Sequence, residues 1–114
     1  MPMKFYDQFD IVKVPFPFSD KEKIKKRPAI IISSPQYLIA TNHYILLMIT
    51  SAKQSSWKND IEISNLQKSG LPSPSKIRFK MFSLDYSIII SKIGCLDIQD
   101  TNIVKKNLKD ILSF

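Results

Sequence analysis

The stretch Phe9–Pro35, FDIVKVPFPFSDKEKIKKRPAIIISSP, decides how the chain is read. From Asp10 to Phe16, Ile11, Lys13 and Pro15 fall on one face and Val12, Val14 and Phe16 on the other, which is the period of a strand. Pro15 and Pro17 have no N–H to give to a ladder, so this strand ends there or lies at an edge. Ser19 to Lys26 is a charged loop. Ala29 to Ser34 follows as a second strand, apolar on both faces until its serines and therefore central in a sheet. Lys25-Lys26-Arg27-Pro28 stands at the mouth of that strand pair. Cations gathered at one mouth, rather than scattered over a face, suit a polyanion held against a rigid sheet.

Working outward, Pro35 to Thr41 turns the chain with a short helical turn, and Tyr44 to Thr50 is a third, nearly all-apolar strand. If the second and third strands run antiparallel, the start of one lies beside the end of the other. Arg27 then comes near Thr50 and Ser51 at one rim of the sheet. Ala52 to Asn59 is a polar loop with the only tryptophan, Trp57, and Asp60 to Ser64 (DIEIS) alternates as a fourth strand. After a turn region at Leu66 to Pro74, Ser75 to Phe82 forms a fifth strand with Arg78 and Lys80 on one face. Ser87 to Ile93 forms a sixth, broken by Gly94. Asp97 and Asp100 mark a helix start, and Val104, Leu108, Ile111 and Leu112 place an apolar stripe on the closing helix. Short strands plus a terminal helix predict a small, curled antiparallel barrel.

Bulk properties narrow the classes. The 114 residues suffice for one domain, taken to span 1–114, and 44% apolar content is enough for it to fold. Seventeen Lys+Arg against ten Asp+Glu leave a net charge of +7, which favours nucleic acid, an anionic membrane or an acidic protein as partner. No apolar run reaches the length of a membrane span, and the first residues form no signal-peptide pattern. A single cysteine, Cys95, fits a reducing cytoplasm, and one Cys with one His (His43) argues against a protein-only zinc site. With two glycines, Gly70 and Gly94, the chain has no Gly-rich phosphate loop or dinucleotide fingerprint, so phosphate must be bound by side chains and no cofactor is expected.

The segments FDIVKVPFPFSD, KKRPAIIISS, MITS and SKIRFKMFSLDYSIIISKIGCL, in this order and spacing, resemble the MazF/PemK-like toxins of type II toxin–antitoxin modules. The resemblance covers nearly the whole chain. It implies a mainly β fold with short helices, an SH3-like antiparallel barrel with a C-terminal helix. It also implies a homodimer, a metal-independent endoribonuclease cutting single-stranded mRNA, and a cognate acidic antitoxin as partner. On the family's pattern Arg27 and Thr50 form the catalytic pair, and Arg78 matches a second arginine seen in some relatives. The chain departs from the pattern where Lys80 replaces the aspartate of an Arg-x-Asp motif, and where Lys21-Glu22-Lys23-Ile24 replaces a Gly-containing segment.

Metal-free RNA cleavage uses the 2′-hydroxyl as nucleophile on the adjacent phosphate. Arginine is a poor base, because its pKa lies far above operating pH, but its planar fork grips two phosphate oxygens at once. Arg27 is accordingly assigned to transition-state charge, Thr50 to a hydroxyl donor on the same oxyanion, and Arg78 to a third catalytic contact. Lys25, Lys26, Ser51, Lys53, Gln54 and Lys80 are the expected RNA-binding residues, with Lys80 on a flanking phosphate. No residue stands out as general base: His43 sits at the far end of its strand, and Asp20 and Glu22 lie in the first loop. Blander readings compete. Arg27 can be an ion-pair partner of Asp10 or Glu62, and Trp57 an anchor between loop and core rather than a base-stacking ring. Two other functions stay open: a catalytically inactive RNA- or protein-binding barrel, and a topoisomerase-inhibiting toxin.

Overall fold

In the computed structural model, described here for residues 5–16 and 25–113, six strands form one antiparallel sheet. In chain order the elements are β1 (Asp10–Phe16), β2 (Lys25–Ile31), α1 (Pro35–Thr41), β3 (His43–Ser51), β4 (Ile61–Glu62), α2 (Leu66–Ser69), β5 (Ser75–Asp85), a 3-10 turn (Tyr86–Ile88), β6 (Ser91–Cys95) and α3 (Ile98–Leu112). Across the sheet they run β4-β5-β3-β2-β1-β6. The sheet curls into a half-barrel with β4 and β6 as its free edges. Helix α3 packs beside β4, and α2 packs beside β6.

The strands expected to be central are central, and both faces of the sheet are buried. On one face Ile11, Ile30, Leu47, Ile49 and Ile77 pack with Leu96 and with Val104 of α3. On the other, Val12, Val14, Ala29, Ile31 and Leu46 pack with Tyr44 and with Leu38 of α1. Burying one side chain of this size contributes roughly 1.5–3 kcal/mol, so β2 and β3 are doubly anchored. The prolines sit where ladders stop. β6 pairs with β1 no further than Lys13, which leaves Pro15 without a neighbour on that side. Pro28 lies one residue before the β2–β3 ladder begins at Ala29 and Met48.

Several boundaries differ from the sequence reading. β2 starts at Lys25, ahead of its apolar run, because Lys25 and Lys26 pair with Phe16 and Pro15. The last strand begins at Ser91 rather than Ser87, because Asp85 caps the intervening turn by accepting from the Ser87 N–H at 2.9 Å and the Ser87 hydroxyl at 2.7 Å. Gly94 does not break the strand but lies within it, where a Cβ would meet the Ser69 carbonyl oxygen at 2.3 Å. That close approach belongs to α2, a helix the sequence reading took for a turn. Asn65 caps it by accepting from the Lys68 N–H at 3.0 Å, and Gly70 ends it at φ 73°. On α3 only the first half of the expected stripe is covered. Val104 is buried, while Ile111 and Leu112 are exposed.

Candidate functional site

The register places the first pair of candidate residues. Ala29 lies opposite Met48 on the β2–β3 ladder, and two residues further along each strand stand Arg27 and Thr50. On the other flank of β3, Met48 pairs with Arg78 and Thr50 with Lys76. Partners across an antiparallel ladder share a face, so Arg27, Thr50, Met48, Arg78 and Lys76 all project to one side. Arg27, Thr50, Met48, Arg78, Lys80, Gln54 and Phe16 line one cleft of about 290 Å³.

A bulge shapes its far wall. Between Leu47↔Met81 and Met48↔Arg78 the chain of β5 carries two residues, Phe79 and Lys80, with no counterpart on β3. Such an insertion bends the strand and re-aims its side chains. Here it accompanies Lys80 at the cleft and Phe79 packed against the first core cluster.

The two arginines stand in different circumstances. The Arg27 side chain makes no hydrogen bond or ion pair with any described residue, and neither does the Thr50 hydroxyl, although Thr50 is only 8% exposed. Both groups therefore reach the cleft with their donors unspent. Arg27 pairs with neither Asp10, which holds Lys92 at 3.3 Å, nor Glu62. Arg78 is instead committed. Its Nη2 donates to Asp60 Oδ2 at 3.1 Å and to the Ser55 carbonyl, its Nε lies 3.4 Å from Asp60 Oδ1, and its guanidinium sits 4.8 Å over the Trp57 ring. Only Nη1 has no described partner.

Asp60 is the hub of this corner. It also accepts from the Trp57 backbone N–H at 2.9 Å and lies 3.5 Å from Lys76 Nζ, which in turn donates to the Gln54 carbonyl at 2.6 Å. Burial alone would push the Asp60 carboxyl up. Hydrogen bonds from Arg78, the Trp57 N–H and Lys76 outweigh it, and the carboxyl lies below the usual carboxylate range. One carboxylate faces two cations, so the corner keeps a net positive charge. Neither Asp60 nor Lys76 was singled out from the sequence. The signal was present, since pairing DIEIS with SKIRF in the observed register (Ile61↔Ile77, Glu62↔Lys76) sets Asp60 level with Arg78.

The remaining expected residues divide. Gln54 and Lys80 line the cleft. Ser51 and Lys53 are exposed beside it, with Ser51 Oγ accepting from the Lys53 N–H at 3.2 Å. Lys25 opposes Phe16 and is exposed at the same mouth. Lys26 points to the opposite face and lines a second hollow with Lys13, Pro28, Leu71, Pro72 and Ile93, which Arg27 also borders. The strand alternation that aims Arg27 into the cleft aims Lys26 away from it. His43 lies at the far end of β3, opposite Asp85, with Nδ1 2.7 Å from the Thr41 carbonyl oxygen. The loop carboxylates Asp20 and Glu22 fall outside the described residues. Trp57 belongs to neither apolar core cluster and is 48% exposed, and its ring contact is with the Arg78 guanidinium of β5. Among the described residues no group of three or more His, Cys, Asp or Glu gathers into a metal site, and no helix is long and apolar enough to cross a membrane.

The molecule is a small β domain whose curled sheet carries a cationic cleft at the ends of its central strands. The family model for the PemK-like, MazF-like toxin of type II toxin–antitoxin systems matches residues 7–112, and the chain belongs to that family. Solved structures share the fold at low identity. MazF from Deinococcus radiodurans is 19% identical with a TM-score of 0.77, over 98% of this chain and 100% of that one. An endoribonuclease in complex with its cognate antitoxin from a mycobacterial species is 10% identical with a TM-score of 0.76, over 96% and 97% of the two chains. A MazE–MazF structure from Deinococcus radiodurans is 17% identical with a TM-score of 0.74, over 96% and 97%. No curated protein matches the chain.

Proposed function

We propose that this toxin is an endoribonuclease that cleaves single-stranded mRNA at the Arg27–Thr50 cleft without a metal ion. The observation that carries the reading is the convergence of Arg27 and Thr50, both free of described partners, in one cleft with Arg78 and Lys80. The 2′-hydroxyl gives up its proton as its oxygen attacks phosphorus, the bond from phosphorus to the 5′-oxygen breaks, and the departing oxygen takes up a proton in its turn. The products are a 2′,3′-cyclic phosphate and a 5′-hydroxyl. Arg27 grips the phosphorane oxygens as their charge grows, and the Thr50 hydroxyl adds a donor to the same oxyanion. Each such preorganised donor is worth on the order of a hundredfold in rate. Arg78, held by Asp60, offers Nη1 to the phosphate, and Lys80 takes a neighbouring one.

Its partner is an acidic cognate antitoxin, a reading supported by relatives solved as antitoxin complexes and by the net charge of +7. A homodimer in the cytoplasm is the working state. The test is incubation of long RNA with purified protein in EDTA, with the fragment ends mapped. Cyclic phosphate and 5′-hydroxyl ends are expected. RNA left intact across varied sequences counts against cleavage and favours a non-catalytic binder on the same fold.

A further inference from the structure

We infer that Trp57 is a nucleobase-stacking subsite of the RNA cleft, a platform for one unpaired base beside the phosphate held by Arg27 and Arg78. The inference rests on the single-stranded RNA reading above. An indole held only to order a loop belongs in the core, yet Trp57 packs in neither core cluster and leaves 48% of its surface exposed. Its described contacts lead to the cleft instead. The Arg78 guanidinium lies over the ring at 4.8 Å, and Arg78 is a wall of the cleft. Asp60 ties the Trp57 backbone to that guanidinium, accepting from the Trp57 backbone N–H at 2.9 Å and from Arg78 Nη2 at 3.1 Å. The exposed aromatic surface is therefore presented in a fixed place, next to a cation that meets phosphate. An aromatic plane flanked by guanidinium is the chemistry that receives a base splayed from a single strand, because every base has a π-face. No hydrogen-bond readout is needed, so the subsite adds affinity and register rather than a choice among the four bases.

Trp57 is the only tryptophan, which makes its emission a private reporter of this subsite. The experiment titrates the full chain with a panel of 2′-fluoro RNA decamers, which lack the attacking hydroxyl, and reads intrinsic emission alongside anisotropy. The tightest decamer is then rebuilt with one abasic site at a time, and Trp57→Ala and Trp57→Phe are measured on the whole set. Expected are a change in tryptophan emission on binding, and affinity about five- to a hundredfold weaker in Trp57→Ala. Trp57→Phe should recover most of that loss. One abasic position should erase the difference between wild type and Trp57→Ala, because the stacked base is already gone. Equal affinity of wild type and Trp57→Ala overturns the inference. So does a Trp57→Ala deficit that persists at every abasic position, which means Trp57 acts only by steadying Arg78. If the wild-type protein binds none of the RNAs, the RNA reading falls and the subsite falls with it, a result distinct from RNA binding that ignores Trp57.

Discussion

Asp60 Oδ2 lies 3.1 Å from Arg78 Nη2 and 3.5 Å from Lys76 Nζ, so a single carboxylate just ahead of a two-residue edge strand holds two cations of the neighbouring strand. All three side chains are nearly closed off from water, at 9%, 10% and 4% exposed. Removing one member of such a buried set leaves uncompensated charge behind. Asp60→Ala is expected to destabilise the fold by about 3 kcal/mol, read as a lower urea midpoint, because Arg78 and Lys76 then repel each other in a low-dielectric corner.

The same carboxylate fixes a pH dependence. Its folded pKa is depressed, so its contribution to stability is present above the unfolded value of about 3.9 and is lost as the pH falls through the folded value. Other acids titrate in the same range, so the comparison must be differential. The stability gap between wild type and Asp60→Asn should be constant from pH 7 to pH 5 and narrow below pH 4. Urea denaturation at stepped pH checks this, and a gap that widens on acidification contradicts the assigned direction.

Arg27 and Arg78 should part company in mutagenesis. Arg27 has no described partner, so Arg27→Ala should lose at least a hundredfold in cleavage rate while stability stays within about 0.5 kcal/mol. Arg78→Ala strips the main partner from Asp60 and uncovers Trp57, so activity and stability should fall together. Thermal melts beside single-turnover cleavage separate the two. An Arg27→Ala protein that melts early has lost a structural residue, not a catalytic one.

The sheet's centre and the meeting of Arg27 with Thr50 were legible because both follow from local rules. Two apolar runs joined by a short connection pair antiparallel, and side-chain alternation then dictates which residues share a face. Lys26 shows the same rule applied too loosely, since adjacency to Arg27 in sequence means the opposite face in a strand. What stayed hidden depends on pairing between distant segments. The two-residue bulge at Phe79 and Lys80 has no local signature, because only the partner strand reveals that residues are unmatched. Asp60 is separated from Arg78 by a turn region and a helix, and its role needs the β4–β5 register. Helix α2 is too short for periodicity, and its cap residues read equally well as a turn.

Its packing nevertheless yields a sharp expectation. A Cβ on Gly94 would meet the Ser69 and Lys68 carbonyl oxygens at 2.3 and 2.7 Å, all of it backbone that cannot swing aside. Gly94→Ala must push α2 off β6, at a cost of about 1–3 kcal/mol, typical of overpacking a close contact. No residue of α2 or β6 lines the cleft that holds Arg27, Thr50 and Arg78. Below the lowered melting temperature, RNA cleavage should therefore remain near wild type, and a selective loss of activity would tie α2 to the site.

Lys80 offers the last prediction, through salt. It lines the cleft beyond the bulge, on the same side as Arg27 and Arg78. If it neutralises one phosphate of the bound strand, its removal should reduce counterion release by about one ion, lowering the slope of log K against log salt by about 0.7 for single-stranded RNA. Lys80→Ala should show that change with affinity reduced about evenly across sequences, since a phosphate contact carries no base information. Lys80→Asp sets a second carboxylate near Arg78, in competition with RNA for Nη1. It should therefore bind more weakly than Lys80→Ala at every salt concentration. Stronger binding by Lys80→Asp would mean that the acid, rather than the lysine, completes the cleft, and that Asp60 does not already fill its place.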